Sequence, residues 1–203
     1  IWPDRPARPA NKLFIHDEAI VGEDAGKRMD RVIEQTRTEL ANAVLLSSLD
    51  DIAWTTNLRT AGDINFSPIY VAFLYLDDQG RRILFVDDDK LTDDVRAHLN
   101  KYKVETRHYE SVLDFVSTLP KSTRLLLDPD KTARGIYDRV ACTPVFGGAA
   151  VAKLKSIKTT HMLDALHQAM IKDGVALTTF FMEVEEKYPS GTLTEIGLSL
   201  IHI

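Results

Sequence analysis

The sequence contains almost no cysteine and no long apolar segment. Its one cysteine, Cys142, cannot form a disulfide within the chain, so we predict no covalent framework of the kind found in small secreted proteins. The longest apolar run, residues 69–76, is too short to cross a bilayer, and no basic segment leads into an apolar stretch as in a signal peptide. We therefore expect a cytoplasmic protein without a membrane partner.

Positive charge is scarcer than negative charge. The 203 residues carry a formal net charge of -5, which disfavours a phosphate-backbone partner, so we predict no nucleic-acid binding. Hydrophobic residues make up 44% and charged residues 27% of the chain, as is usual for a soluble globular protein. The length suits one large domain, or one domain and part of another.

Sequence patterns for phosphate and metal binding are missing as well. Gly147-Gly148 precedes a predicted helix, but neither a Walker A pattern nor a dinucleotide-binding glycine pattern surrounds it. The consecutive carboxylates Asp87–Asp89 would point to opposite faces of a strand and would chelate poorly. His161 and His167 do not share one face of a helix. We predict no catalytic and no metal-ligating residue in this chain.

The stretch from residue 43 to residue 59 carries the candidate site. Ala43–Leu46 is an apolar run of strand length, and Ser48 follows as the N-cap of a short helix that is predicted to reach about Trp54. Ligands of open α/β sheets bind at the carboxyl ends of strands, where this stretch would stand. Trp54, Asn57 and Arg59 are therefore candidates to lie beside a substrate. Alternatively, Trp54 belongs to the core and the charged residues are simply solvated.

The rest of the first 152 residues alternates between helix and strand patterns. This order predicts an α/β sandwich with a mixed β-sheet flanked by helices, in which the two hydrophobic strands on either side of Gly80 form an antiparallel hairpin. The predicted helices are 23–41, 92–100 with Thr92 as N-cap, 111–119 with Ser111 as N-cap, and 130–139; the predicted strands are 43–46, 69–76, 81–86, 104–109 at a sheet edge, and 124–128.

A much longer helix is predicted near the carboxyl terminus. Thr159 and Thr160 can cap it, and apolar residues recur on one face up to about Glu186. It is too long for the small sandwich before it and indicates the start of a second domain. The residues of its apolar face include Met162, Leu166, Phe180, Phe181 and Val184.

Several of these stretches together resemble one family, the cytosolic-type Xaa-Pro aminopeptidases, or aminopeptidase P. The resemblance covers nearly the whole chain, and it is most specific in the block 49–59 and in the block 173–177. The stretches that carry it are Trp2 with Arg5-Pro6, residues 49–59 (LDDIAWTTNLR), Pro68, residues 154–158 (LKSIK), Met162, Ala165, residues 171–177 (IKDGVAL), Phe180-Phe181 and Thr194-Glu195.

The resemblance implies an architecture. Such enzymes have two creatinase-type α/β domains followed by a catalytic domain of the pita-bread type. Residues 1–20 would be a linker or strap, with Trp2 as a possible anchor, and residues 21–152 a creatinase-like α/β domain. Residues 153–196 would be the first helices of an incomplete catalytic domain. Residues 197–203 match nothing in the family and form an unmatched tail.

The resemblance also implies a chemistry. These enzymes remove an N-terminal residue that precedes proline, using two divalent metals, usually manganese, and the parent enzyme would be a homodimer acting on peptides. Their metal ligands are two aspartates, a histidine and two glutamates, none of which can be placed on this chain. This chain should therefore bind no cofactor and be inactive by itself.

Two further expectations follow from the sequence. A creatinase-like domain without a metal site can instead be a non-catalytic module that recognises a peptide or protein, and this alternative stays open. The apolar face of the long helix would normally be covered by the sheet of a catalytic domain. Exposed in this chain, it should favour association.

Overall fold

The computed structural model describes residues 4–148 and 150–202. The chain divides into two compact units, Ile1–Ile157 and Lys158–Ile203, which are described separately. The division falls a few residues after the predicted domain boundary at residue 152. Within the described residues, no helix is both long enough and apolar enough to pass through a membrane.

The first unit contains all strands of the described chain. They are β1 (Leu13–Ile15), β2 (Ala43–Leu46), β3 (Leu58–Thr60), β4 (Phe73–Asp77), β5 (Arg82–Phe85), β6 (Glu105–Arg107), β7 (Arg124–Leu127) and β8 (Thr143–Phe146). Six of them form one sheet in the order β6-β5-β4-β2-β7-β8, and β1 and β3 form a separate antiparallel pair. The first unit therefore has one main sheet and a small second sheet.

The main sheet is mixed, as predicted. Strands β2, β4 and β5 pair antiparallel, whereas the pairs β2–β7, β7–β8 and β5–β6 are parallel. The predicted hairpin is confirmed as β4–β5, and β6 lies at an edge. The predicted strand 69–76 is wrong in its first half. Ladder pairing begins only at Phe73, because Val71 instead gives its backbone N–H to the Asp63 carboxylate, at 3.1 Å.

Helices surround this sheet. The helices of the first unit are α1 (Glu18–Val21), α2 (Ala25–Thr38), α3 (Leu49–Thr56), α4 (Asp93–Lys101), α5 (Val112–Ser117), α6 (Arg134–Tyr137) and α7 (Ala150–Ser156). Short 3₁₀ turns occur at Asp88–Lys90 and Tyr109–Ser111.

The predicted helices of the first unit differ from one another in outcome. Thr92 is the N-cap of α4, where its hydroxyl accepts from the Val95 N–H at 3.3 Å. Ser111 precedes α5, but its side chain caps nothing there and donates to the carbonyl of His108. The predicted helix 130–139 is wrong for most of its length, since only Arg134–Tyr137 is helical.

The amino-terminal segment is more structured than a linker. Residues 13–15 form β1, whose three residues pair with β3, and α1 follows with Asp17 as its N-cap. Proline content suggested a strap, yet this segment contributes a buried residue, Leu13, to the core. Trp2, the suggested anchor, lies outside the described residues, as does Ala149 in the predicted turn before α7.

The main sheet separates two apolar clusters. Successive residues of a strand point to opposite faces, so Val44 and Leu46 pack with α2 and α3, while Ala43 and Leu45 pack with α5. All four are buried. Burial on both faces explains why β2 reads as a continuous apolar run rather than an alternating one.

The second unit is helical. It contains α8 (Thr160–Lys187), a 3₁₀ turn at Tyr188–Ser190 and α9 (Glu195–His202). Thr159 is the N-cap of α8, and its hydroxyl accepts from the Met162 N–H at 3.1 Å, as the sequence predicted. No residue of α8 is buried in this structure. Helix α9 extends through residues 197–202 of the predicted unmatched tail.

Candidate functional site

The three candidate residues lie around the point where α3 ends and β3 begins. Trp54 is in the last turn of α3, Asn57 is the residue after it, and Arg59 is the middle residue of β3. The helix is longer than predicted, because it continues through Thr56. The structure therefore places all three residues at the carboxyl end of a helix. Ser48 and the first turn, which follow strand β2 directly, lie at its other end.

Cationic and polar side chains bind the last carbonyl groups of α3. The Arg28 Nη1 donates to the Trp54 carbonyl at 2.8 Å, and the Arg59 guanidinium donates to the carbonyls of Ala53 and Leu58. The Nε2 of His98 forms a hydrogen bond of 2.9 Å with the Thr56 carbonyl. Helix carbonyls at this end have no partner within the helix and carry partial negative charge, so these groups stabilise the end of α3.

Asn57 makes the turn that ends the helix. Its backbone is left-handed, with φ of 58°, a conformation that Asn adopts more readily than most residues. Its side-chain amide donates to the His16 carbonyl at 2.9 Å, and its own carbonyl accepts from the His16 N–H at 3.0 Å. Asn57 is fully buried. It therefore joins α3 to the strand pair β1–β3.

Trp54 is mainly a core residue. Only 8% of its surface is exposed, and it belongs to the larger apolar cluster. The guanidinium of Arg28, which is itself buried, lies over the indole ring at 4.8 Å from its centre. This contact combines ring packing with cation–π attraction. The structure thus matches the alternative considered for Trp54 from the sequence.

Positive charge accumulates at this end of α3. Burial lowers the pKa of Arg59 and of Arg28, although Glu23 partly offsets the effect on Arg28. Burial, together with Arg59 and Arg28, also lowers the pKa of His16. Among the described residues, the hydrogen-bond partners of the Arg59 guanidinium are backbone carbonyls and not carboxylates. Arg59 is only partly buried and can still meet an acceptor from outside.

The other end of α3 is held by Lys155 of α7. This lysine bonds to both Asp50 and Asp51 in the first turn. Burial alone would raise the pKa of Asp50, but hydrogen bonds from Lys155 and Ser48 lower it to about 2. For Asp51, burial outweighs the same lysine, and the pKa is raised. Asp50 is exposed and Asp51 is partly buried, and their bonds to Lys155 hold α7 against α3.

A buried ion pair anchors the loop that follows Arg59. Lys90 pairs with Asp63, and neither side chain is exposed to solvent. The Asp63 carboxylate also accepts from the Val71 N–H at 3.1 Å and from the Asn11 side chain at 3.3 Å. Sequence reasoning missed Arg28, His98 and this ion pair, because their partners are distant in sequence. The local pattern gave no signal for them.

The described residues do not fit a metal centre. In the part of the chain that the structure describes, no three His, Cys, Asp or Glu side chains are grouped to hold a metal ion.

Comparison with known proteins gives the context of this site. Residues 4–161 match the family model described as the creatinase/prolidase N-terminal domain. The chain is 30% identical to a probable Xaa-Pro aminopeptidase P of Coprinopsis cinerea, over 94% of the chain and 33% of that protein. It is 28% identical to aminopeptidase P2 of Arabidopsis thaliana, over 98% of the chain and 32% of that protein.

A solved structure shows the same fold. The X-prolyl aminopeptidase of Caenorhabditis elegans, described as a cytosolic enzyme with a di-nuclear active site, superposes with a TM-score of 0.85 at 24% identity. The match covers 99% of this chain and 34% of that one. This chain thus spans about a third of the length of the relatives it matches. The chain belongs to the creatinase/prolidase N-terminal domain family, and its relatives include Xaa-Pro aminopeptidases.

Proposed function

We propose that this chain is part of an Xaa-Pro aminopeptidase, which removes an N-terminal residue that precedes proline. The observation that carries the proposal is the extent of the match. The relative from Coprinopsis cinerea covers 94% of the chain, whereas the family model ends at residue 161. The similarity must therefore continue into α8, beyond the domain that the family model describes.

In the proposed parent enzyme, two divalent metals, usually manganese, would supply the hydrolytic chemistry. The residues described here do not fit that centre, so no step of bond cleavage is assigned to this chain. In this proposal, the chain forms one side of the cleft in which a peptide binds. The parent would act on peptides as a homodimer in the cytoplasm.

On that side of the cleft, Arg59 is the residue proposed to contact the substrate. Its guanidinium is partly exposed and positively charged, and its hydrogen-bond partners among the described residues are backbone carbonyls, so it can bind a peptide carbonyl or carboxylate. Trp54 and Asn57 are buried. They would act as positioning residues, because they shape the end of α3 to which Arg59 is bonded.

Kinetics of the parent enzyme test this role. Arg59→Ala should raise KM for short Xaa-Pro peptides while the protein stays folded, and Arg59→Lys should restore only part of the loss because lysine lacks the forked geometry. Arg107→Ala is the control, since that arginine pairs with Glu105 at a sheet edge. Unchanged kinetics and oligomeric state in Arg59→Ala would leave Arg59 a purely structural residue.

The activity itself is tested on the gene product at the full length of its relatives. We expect release of the first residue from Xaa-Pro peptides, no release when alanine replaces proline, loss of activity with a chelator and recovery with Mn²⁺. Cleavage that ignores the proline, or that persists after the metal is stripped, would contradict the proposal.

One observation favours a second candidate, a non-catalytic recognition module. The described residues provide binding surfaces without any grouping of metal ligands. The coding sequence after residue 196 discriminates between the two. Two aspartates, a histidine and two glutamates in a pita-bread context support the enzyme, and a stop codon supports the module.

A further inference from the structure

A group of side chains that binds Arg8 has no role in the proposed function. Strands β5 and β6 are parallel neighbours, so their carboxyl ends lie side by side at one end of the main sheet. Asp87 follows the first of these strands, and Tyr109 and Glu110 follow the second. We call these three side chains the acidic-aromatic cluster. It stands at the end of the sheet where open α/β proteins bind ligands.

The guanidinium of Arg8 contacts every member of the acidic-aromatic cluster. Its Nε and Nη2 donate to the two carboxylate oxygens of Asp87, at 3.0 and 3.2 Å. Its Nη1 donates to Glu110, and its Cζ lies 4.4 Å from the centre of the Tyr109 ring. A planar guanidinium can make this forked contact and stack on the ring, whereas the compact ammonium of lysine cannot make the fork. The cluster should therefore favour arginine over lysine.

The acidic-aromatic cluster is built on structure that does not involve Arg8. Asp87 is the N-cap residue of the 3₁₀ turn Asp88–Lys90, and Tyr109 is the first residue of the 3₁₀ turn Tyr109–Ser111. The ring of Tyr109 packs against the ring of Phe73, with the ring centres 5.0 Å apart. The cluster should therefore keep its geometry when the Arg8 side chain leaves it.

Arg8 belongs to a segment that side chains hold in place. Residues 6–12, which we call the arm, make no backbone–backbone hydrogen bond with other described residues. Besides those of Arg8, the contacts of the arm are Asn11 with Asp63 at 3.3 Å, the Lys12 ammonium with the Asp89 carbonyl, and the Thr60 hydroxyl with the Lys12 carbonyl at 2.9 Å. All of these follow Arg8 in the chain, and partly solvated ion pairs such as those of Arg8 are weak. The first half of the arm can therefore detach without disturbing the rest.

We propose that the acidic-aromatic cluster is a recognition site for an arginine side chain of a separate, extended peptide segment, and that Arg8 occupies this site as an exchangeable internal ligand. The occupant is chosen because the structure shows its chemistry in place: a guanidinium carried by a segment without helix or strand structure. A tethered group competes at an effective concentration of about millimolar, so the arm keeps the site closed to weaker ligands. This binding activity does not rest on the proposed function.

A nuclear magnetic resonance titration of the complete chain tests the proposal. The probe is the peptide acetyl-Gly-Ala-Arg-Ala-Gly-amide, and the comparison peptides carry lysine or citrulline in place of arginine. In Arg8→Ala, we expect the arginine peptide to shift the amide signals of residues 87–90 and 108–111 saturably at about millimolar concentration. Lysine should act less and uncharged citrulline not at all. The original chain should bind about tenfold more weakly or worse, because its own Arg8 competes.

Adding Glu110→Gln to Arg8→Ala should weaken binding about threefold or more, because it removes one carboxylate from the cluster. The matched control adds Asp130→Asn, which neutralises an exposed carboxylate outside the cluster and should change nothing. Circular dichroism checks folding, and Arg8→Gln replaces Arg8→Ala if the latter unfolds. The proposal is overturned if the arginine peptide shifts no signal of the cluster, if all three peptides act equally, or if the original chain binds as tightly as Arg8→Ala. It is also overturned if Arg8→Ala reduces self-association, because the occupant would then be the arm of a second copy.

Discussion

Lys90 and Asp63 are the residues on which the loop after Arg59 depends most. Their charges are completely buried and face each other, and Asp63 also binds a backbone N–H and the Asn11 side chain. A charge in the interior is costly unless its partner is present. This pair therefore holds three segments of the chain in one arrangement beside the candidate site.

Removing one charge of this pair should be strongly destabilising. We expect Lys90→Met to lower the free energy of unfolding by about 3–5 kcal/mol, because it leaves the Asp63 carboxylate buried without its partner. Urea unfolding followed by circular dichroism measures the change. Arg96→Met is the control: its pair with Asp88 is exposed, at 3.7 Å, and should be worth about 1 kcal/mol at most. Equal losses in both variants would refute this interpretation.

The lowered pKa of Asp50 makes the stability of the folded chain depend on pH in the acid range. Its pKa in the folded chain, about 2, lies below the ordinary value of 3.8, so the ionised carboxylate stabilises the fold above about pH 4. That contribution should disappear as the pH falls from about 4 to about 2. We expect Asp50→Asn to be less stable than the original chain at pH 7, by at most about 1 kcal/mol because Asp50 is exposed, and equally stable near pH 2.

Thermal unfolding at several pH values measures this difference, and the exposed Asp130→Asn is the control. A stability gap between the original chain and Asp50→Asn that is constant over the whole pH range would show that Lys155 does not act through the ionised carboxylate.

Residue types and spacing suggested candidate residues but not their contacts. The sequence predicted Trp54, Asn57 and Arg59 at the carboxyl end of a strand, whereas the structure has them at the carboxyl end of α3 and in β3. It could not show that Arg28 and His98 bind the helix end, because those contacts join residues 26 and 42 positions apart. The local sequence pattern also could not predict that the side chains of Trp54 and Asn57 are buried.

At the scale of the elements, two helices end in the same way. After α2, the Leu40 N–H bonds to the Arg37 carbonyl and the Ala41 N–H to the Thr36 carbonyl, which is a Schellman motif. Helix α4 repeats this pattern with Lys103 in the corresponding place. Both residues have positive φ, 58° and 55°, although neither is glycine. Each helix end therefore contains backbone strain.

Glycine should relieve that strain. We expect Leu40→Gly to raise the free energy of unfolding by about 0.5–1 kcal/mol, because glycine adopts a left-handed conformation freely and the leucine side chain is 74% exposed. Leu40→Ala is the control, since alanine keeps the strain. Chemical unfolding compares the two variants. A stabilisation by alanine equal to that by glycine would mean that exposure of the leucine, and not its backbone, sets the cost.

The elements that the sequence predicted are those with long local patterns. Helix α2 and helix α8 have periodic apolar faces, and β2 and the last three residues of β7 are uninterrupted apolar runs. The pair β1–β3 was missed, because each strand has three residues and the two are far apart in the chain. Such short strands are stabilised by their tertiary partner rather than by their own sequence.

At the scale of the whole molecule, the apolar residues of α8 bear on self-association. Leu166 and Phe181 are exposed, and Met162, Phe180 and Val184 are half-buried. Exposed apolar surface favours association. We expect the chain to self-associate as its concentration rises, and Phe181→Glu to reduce this, while the exposed Lys172→Glu should not. Sedimentation velocity measures it, and a monomer at every concentration would contradict the expectation.

The proposal that this chain is part of a larger enzyme is tested most directly by assaying the chain alone. Purified chain is incubated with an Xaa-Pro peptide, with added Mn²⁺ and, in parallel, with a chelator, and the released amino acid is quantified. We predict no release above the buffer control under either condition, because no three His, Cys, Asp or Glu side chains of the described residues are grouped to hold the metals that the proposed parent would use. Release that requires Mn²⁺ and stops with the chelator would contradict the account.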